Sequence, residues 1–188
     1  MQTPNHIEVR PLLPTDAVDL RELRLEALRL DGRSFASSYD AEEKLTAADW
    51  ERKCTEKNDL CTLGLFSKGE LIGMSMVYPW EEDATGETAV LGQSYIKPSY
   101  RGFGLGKSLF ARRLEWCRKS PQFMSAVLFI RDGNAASTAL HAAAGAEYTE
   151  PKLMDWADGK KAVGHWYKIE LKRPEIEAAP TYRRYALH

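Results

Sequence analysis

Hydrophobic positions along this 188-residue chain change their period several times, and each change marks an element. Near the start, Ile7 and Val9 alternate with polar residues before Pro11, predicting a short strand over residues 6–12 whose proline confines it to an edge or an exit. Leu20, Leu23, Ala27 and Leu30 then recur at helical spacing, from Pro14-Thr15-Asp16, where Thr15 or Asp16 suits the cap, to a stop at Asp31-Gly32. After a loop over residues 34–38, Thr46 is placed to cap a short helix carrying Trp50. Two strand-like runs, residues 60–66 and 70–78, flank Ser67-Lys68-Gly69, a turn of hairpin length, and are expected to pair antiparallel. Residues 88–96 read as a further strand ended by Pro98. Leu105, Leu109, Phe110, Leu114 and Cys117 give the buried stripe of a helix reaching about Lys119. The apolar run 124–130 has the character of a central strand covered on both faces. Asn134 then caps an alanine-rich helix that Gly145 ends, and residues 163–171 close the pattern.

This order predicts an α/β (α+β) fold in one domain spanning 1–188: a mixed, mostly antiparallel sheet with helices on both faces. Its core runs from about 6 to 171, and a polar tail with Pro174 and Pro180 follows over 173–188. Composition refines the picture only where charge is concerned. With 26 basic and 27 acidic residues the net charge is -1, so no general basic field exists to hold a nucleic acid. The start, MQTPNHIEVR, lacks a basic stretch followed by an apolar one, and no run approaches the about 18 apolar residues that span a bilayer. The expectation is a cytoplasmic protein without a membrane partner. Cys54, Cys61 and Cys117 are odd in number and lack metal-ligand spacing, which predicts ordinary thiols, neither disulfides nor a metal site. Tyr182 and Tyr185 in the tail suit packing against a second copy, as in a homodimer.

The chemistry lies in YRGFGLGKS, residues 100–108. Gly106-Lys107-Ser108 matches the end of the nucleotide loop G-x-x-x-x-G-K-S/T, but the first glycine falls on Arg101, and starting from Gly102 leaves the loop one residue short. The dinucleotide pattern G-x-G-x-x-G fails by one residue as well, because Lys107 stands where the third glycine belongs. What remains is R-x-x-G-x-G between a strand and an amphipathic helix. Glycines there let backbone N–H groups close on an anion, and the helix N-terminus adds partial positive charge.

The stretch YIKPSYRGFGLGKSLF resembles the acetyl-CoA loop of the GNAT superfamily of N-acetyltransferases, and the order of elements agrees over about residues 6–171. A second segment, Asn134-x-x-Ser137-x-x-Leu140-His141-x-x-x-Gly145-Ala146, resembles a helix motif of the same family. The resemblance implies acetyl-CoA as cosubstrate, with a pyrophosphate held by the backbone of Arg101, Gly102, Phe103, Gly104, Leu105 and Gly106, and Lys107 and Ser108 at the helix start. It implies that the backbone near Ile96 and the side chain of Asn134 contact the pantetheine arm, which would lie in a wedge between the strand before the loop and the next strand. His141 stands where the family often has a tyrosine that protonates the departing thiolate; donation by histidine and simple packing beside the cofactor both remain open.

An alkylamine is less than ~1% neutral at pH 7, so its attack on a thioester needs a base or a desolvating site. Glu87, Glu81, Glu82, or a water held by Ser94 or Tyr95 are the candidates by position, with Glu87 favoured. Phe35, Tyr39, Trp50, Tyr78 and Trp80 suit an acceptor pocket or the core. Acidic residues at 40, 42, 43 and 81–83 would suit a cationic amine, or would serve solubility. The resulting expectation is an amine N-acetyltransferase working by direct transfer. A CoA-binding module without turnover is the alternative, and a cysteine-based ping-pong enzyme a distant third.

Overall fold

The computed structural model describes residues 6–171, so the tail tyrosines lie outside the described residues. Within it, a seven-stranded sheet runs in the order β1-β2-β3-β4-β5-β7-β6. Its strands are β1 (Ile7–Pro11), β2 (Cys61–Ser67), β3 (Glu70–Pro79), β4 (Thr88–Ile96), β5 (Ser125–Arg131), β6 (Glu147–Asp155) and β7 (Lys161–Glu170). Only β4 and β5 pair in parallel, joined by helix α4 (Leu105–Lys119); the other neighbours are antiparallel.

Alternation along the strands sorts side chains to two helical layers. On one face, Met74 and Tyr95 pack with Leu20, Leu23 and Leu28 of α1 (Ala17–Asp31) and Trp50 of α3 (Ala47–Lys53). On the other, Leu63, Leu65 and Ile72 meet Leu105 and Leu109 of α4, while Leu91, Leu128 and Ile130 meet Phe110 and Leu114. The α3 helix starts as its sequence predicts: the Thr46 hydroxyl accepts from the Asp49 N–H, and the Asp49 carboxylate accepts from the Thr46 N–H. At α1 neither expected cap operates. A 3-10 turn over Pro14–Asp16 comes first, and Asp16 instead receives the Leu13 N–H and the Arg10 guanidinium.

Strand β6 is absent from the sequence reading. It is an exposed edge interrupted by Pro151 and a register shift, so neither burial nor alternation betrays it. A four-residue helix, α2 (Tyr39–Glu42), likewise occupies a stretch too short for periodicity to reveal.

Two irregularities in β4 position the site. Met74 faces Tyr95 while Met76 faces Gly92, so Gln93 and Ser94 oppose the single Ser75 in a β-bulge, with Gln93 at φ 54°. The extra residue reverses the alternation: Leu91 faces α4, but Tyr95 turns to α1 and Ile96 takes the α4 side. The second irregularity is that β4 pairs with β5 only from Thr88–Val90 to Ser125–Val127, beyond which the ladder stops and the strands fork.

Candidate active site

The glycine loop leaves β4 through a 3-10 turn (Pro98–Tyr100) and enters α4 at Gly104. Gly102 and Gly104 have φ 86° and 76°, where an L side chain is strained, and a Cβ on either would meet nothing within 4 Å. Open space therefore lies in front of the loop. The N–H groups of Lys107 and Ser108 return to the Gly104 carbonyl at 3.0 and 3.4 Å; those just before them have no helical residue behind them to bond and mark the positive end of α4. Arg101 does not share this outward stance. Its Nε donates to the Ile96 carbonyl at 2.8 Å and Nη2 to Asp31 at 2.5 Å, fastening the loop to β4 and α1. Lys107 and Ser108 are exposed at the helix start. Lys107 borders a groove of about 270 Å³ between α4 and helix α5 (Ala135–Ala143), with Phe110, Ala111 and Leu140.

Where the strands fork, a cavity of about 240 Å³ passes through the sheet. On the α4–α5 side it is bordered by Leu91, Leu128, Ile130, Ser137 and His141. On the α1 side it is bordered by Arg24, Phe35, Tyr78, Phe129 and Arg131. Gly92 lies between them and leaves room for the Tyr78 hydroxyl, which a Cβ there would approach to 2.9 Å. Burial raises the Tyr78 pKa, so its phenol keeps its proton. Ser94, also at the rim, shares a 2.8 Å hydrogen bond with the Ser75 hydroxyl.

Asn134 borders the cavity and also caps α5, accepting from the Ser137 N–H at 3.2 Å. His141 is buried edge-on against Phe110 at 4.8 Å, and its Nδ1 lies 2.6 Å from the Ser137 carbonyl. That carbonyl only accepts, so Nδ1 carries the proton and Nε2 keeps a lone pair. Burial pushes the pKa down to about 4, against a small upward pull from the Ser137 carbonyl and with a further push from the Arg113 guanidinium. At neutral pH the ring is uncharged and its one N–H is already used. In this position the ring packs beside the cavity, with Nε2 as its free lone pair.

Glu87 is not brought to the others. It is exposed at the start of β4, away from the fork, and does not border the cavity. No carboxylate borders the cavity among the described residues. Glu42 is near but buried, receiving Nε and Nη2 of Arg24 at 2.6–3.1 Å. Burial alone would raise its pKa; the hydrogen bonds and charge of Arg24 outweigh that and hold it below the usual carboxylate value. Of the aromatic residues, Phe35 and Tyr78 reach the cavity, Trp50 is core, and Trp80 stacks on Trp166 at 5.6 Å. The three cysteines are buried, have thiols pushed up to about 12 chiefly by burial, and do not border the cavity.

A glycine loop at the head of α4, a fork beside it and a cavity through the fork are the features the sequence resemblance called for. The model of the acetyltransferase (GNAT) family matches residues 19–146, more than half of the chain. The chain belongs to the GNAT acetyltransferase family. It is an acyltransferase by that membership, and solved structures of the family share its fold. A GNAT-family acetyltransferase from Streptococcus pneumoniae superposes with a TM-score of 0.78 at 19% identity, covering 89% of this chain and all of that one. A putative acetyltransferase from Salmonella typhimurium, solved with its cofactor acetyl-CoA, gives 0.73 at 20%, covering 95% and 100%. RimL, a ribosomal L7/L12 alpha-N-protein acetyltransferase in complex with coenzyme A, gives 0.72 at 13%, covering 90% and 97%. No curated protein matches the sequence.

What sequence reasoning missed in this GNAT acetyltransferase is the pair of arginines on the α1 side of its cavity, Arg24 and Arg131. Arg24 sits on the α1 stripe one residue after Leu23, where periodicity reads only core; its charge among leucines was the available signal. Arg131 ends β5 and reaches the Arg33 carbonyl at 2.8 Å and Asp158, contacts that no local pattern announces. Among the described residues, no helix is long and apolar enough to cross a membrane.

Proposed function

We propose that this acetyltransferase passes an acetyl group from acetyl-CoA directly to a primary amine while both are bound. The thioester C–S bond breaks and a C–N bond forms; the amine nitrogen gives up a proton and the departing thiolate takes one. The observation that carries the reading is the passage of one cavity through the sheet, which gives a donor on the α4–α5 side and an acceptor on the α1 side a common meeting point. The open, positive-φ loop suits a pyrophosphate, held by backbone N–H groups from Gly102 to Gly106 with Lys107 and Ser108 beside it. Asn134 at the cavity and the backbone of Ile96 beneath the loop are the groups assigned to the pantetheine arm on this reading. The acetyl-CoA in the Salmonella typhimurium protein supports the same donor here.

Direct transfer is favoured over a covalent enzyme intermediate because the cysteines lie away from the cavity with their thiols held protonated. The neutral His141 has Nε2 available to accept, so its part is to take the proton that the amine gives up or to shape the cavity, and the thiolate draws its proton from solvent. With no carboxylate in the cavity, an amine that is already partly neutral at working pH is the fitting nucleophile.

The test is release of free thiol from acetyl-CoA with the acceptor and donor concentrations both varied. Direct transfer gives acceptor-dependent release with intersecting double-reciprocal lines; parallel lines overturn it in favour of ping-pong. Tight acetyl-CoA binding without acceptor-dependent release identifies a CoA-binding module instead.

A further inference from the structure

Acyl transfer sets two separate demands on a cavity: a lone pair for the proton that the amine gives up, and a fixed donor for the negative charge that grows on the thioester oxygen. His141 Nε2 answers the first. The second needs an O–H or N–H that reaches the cavity, is not already engaged and does not swing away. Arg24 and Arg131 are paired with Glu42 and Asp158, and Ser94 is hydrogen-bonded to Ser75. Gln93, Ser34, Ser37 and Ser137 border the cavity too, but an amide arm or a hydroxymethyl group turns about its own torsions. Tyr78 is held by its ring, which packs on Val90, Val127 and Trp166. Its hydroxyl has no hydrogen-bond partner among the described residues and, unlike the indole N–H groups of Trp50 and Trp166, is not sealed in the interior.

We propose, resting on the direct-transfer reading above, that the Tyr78 hydroxyl donates to the thioester carbonyl oxygen and holds the oxyanion that forms when the amine adds. The ladder between β4 and β5 ends at Val90–Val127, and Gly92 lies two residues further on, within the parted stretch. A Cβ at Gly92 would stand 2.9 Å from the hydroxyl and 3.0 Å from the ring edge, so the missing side chain is what lets the phenol reach the fork. As the amine nitrogen bonds to the carbonyl carbon, the C=O π pair moves onto oxygen, and the phenol hydrogen-bonds that charge without giving up its proton. When the pair returns, the C–S bond breaks and the thiolate leaves. A donor in this place must stay protonated. Burial ensures that it does, aided by Glu81 in the loop after β3 and opposed by Arg24 of α1, the charges that act on the phenol.

The experiment uses the full-length protein and the amine, from a panel of alkylamines, amino acids and short peptides, that gives the largest acceptor-dependent thiol release from acetyl-CoA. Tyr78→Phe keeps the ring and removes the oxygen. The expected result is a fall in kcat of about tenfold or more, with KM for the amine and affinity for acetyl-CoA within about threefold of wild type. A smaller fall, or a loss carried by KM for the amine alone, overturns the assignment and leaves the acetyltransferase reading standing. Replacing Tyr78 with 3-fluorotyrosine supplies a readout that packing would not move, and it decides the matter if the phenylalanine variant fails to fold. The fluorinated phenol ionises at lower pH, so kcat is expected to hold near neutrality and to gain an alkaline limb below that of wild type. A limb that stays where it was overturns the assignment. No acceptor-dependent release by the wild type from any member of the panel overturns the acetyltransferase reading and the assignment with it.

Discussion

The two mouths of the cavity are made of different materials. On the α4–α5 side, proposed above for the donor, the surface is main chain: a glycine loop at positive φ, the first turn of α4, and two strand edges that have parted. On the α1 side, proposed above for the acceptor, it is side chain, with Arg24 from α1, Phe35 from the turn before α2, Tyr78 from β3 and Arg131 from β5. Backbone groups present the same N–H whatever residue bears them, so the donor mouth suits a group common to every turnover. Guanidiniums and phenols differ with every substitution, so on the proposed reading the α1 mouth is where acceptor specificity is set.

The severest way to break this contrast is Arg24→Ala. It strands the Glu42 carboxylate in the interior and is expected to cost about 3–5 kcal/mol in a urea titration. Replacing both partners, Arg24→Met with Glu42→Leu, is expected to recover most of that stability, because no charge is then left buried alone. Next comes His141, on the α4–α5 wall of the cavity. Its pKa is held at about 4 in the folded protein against 6.5 unfolded, so the unfolded chain takes up a proton that the native chain refuses. Stability therefore falls as pH drops from 6.5 towards 4, by about 3 kcal/mol in full. His141→Gln is expected to flatten that part of the urea-midpoint profile, and an unchanged slope would show the imidazole to be better solvated than its burial implies.

On the donor side, Gly104→Val puts a β-branched residue at φ 76° and is expected to cost about 1–3 kcal/mol, read as a lower melting temperature and weaker acetyl-CoA binding by calorimetry. Unchanged affinity would remove the loop from the donor site. The mildest test is Arg101→Ala. Its side chain is committed to Ile96 and the exposed Asp31, so stability is expected to fall by about 1 kcal/mol or less, and acetyl-CoA affinity only slightly. A loss of affinity beyond about tenfold would mean that a side chain, not the backbone, holds the phosphates.

The same division explains what the sequence makes legible. Gly102, Gly104 and Gly106 are visible because a backbone site needs glycines at fixed spacing next to a helix start, and the α4 stripe fixes that start. Asn134 is visible as a cap for the same local reason. The acceptor wall is assembled by tertiary contacts between residues as distant as Arg24 and Arg131, and no local period records them. Glu87 is favoured by its place in the chain, yet the direction of β4 carries it away from the fork. Glu42 counts as one of several loop carboxylates until its partner on α1 is known. Strand β6 escapes because an exposed edge needs no hydrophobic pattern, and the bulge at Gln93 escapes because one surplus residue leaves the strand's composition unchanged.

That surplus residue makes the site depend on a count. Deleting one position between Gly92 and Tyr95 would barely shorten β4, but it would turn the end of the strand over. Tyr95, whose hydroxyl now donates to Glu26 of α1 at 2.8 Å, would face α4, and Ile96 would leave its place beneath Gly106. The segment thus tolerates many exchanges of residue and few changes of length, and insertions or deletions there act as switches of sidedness.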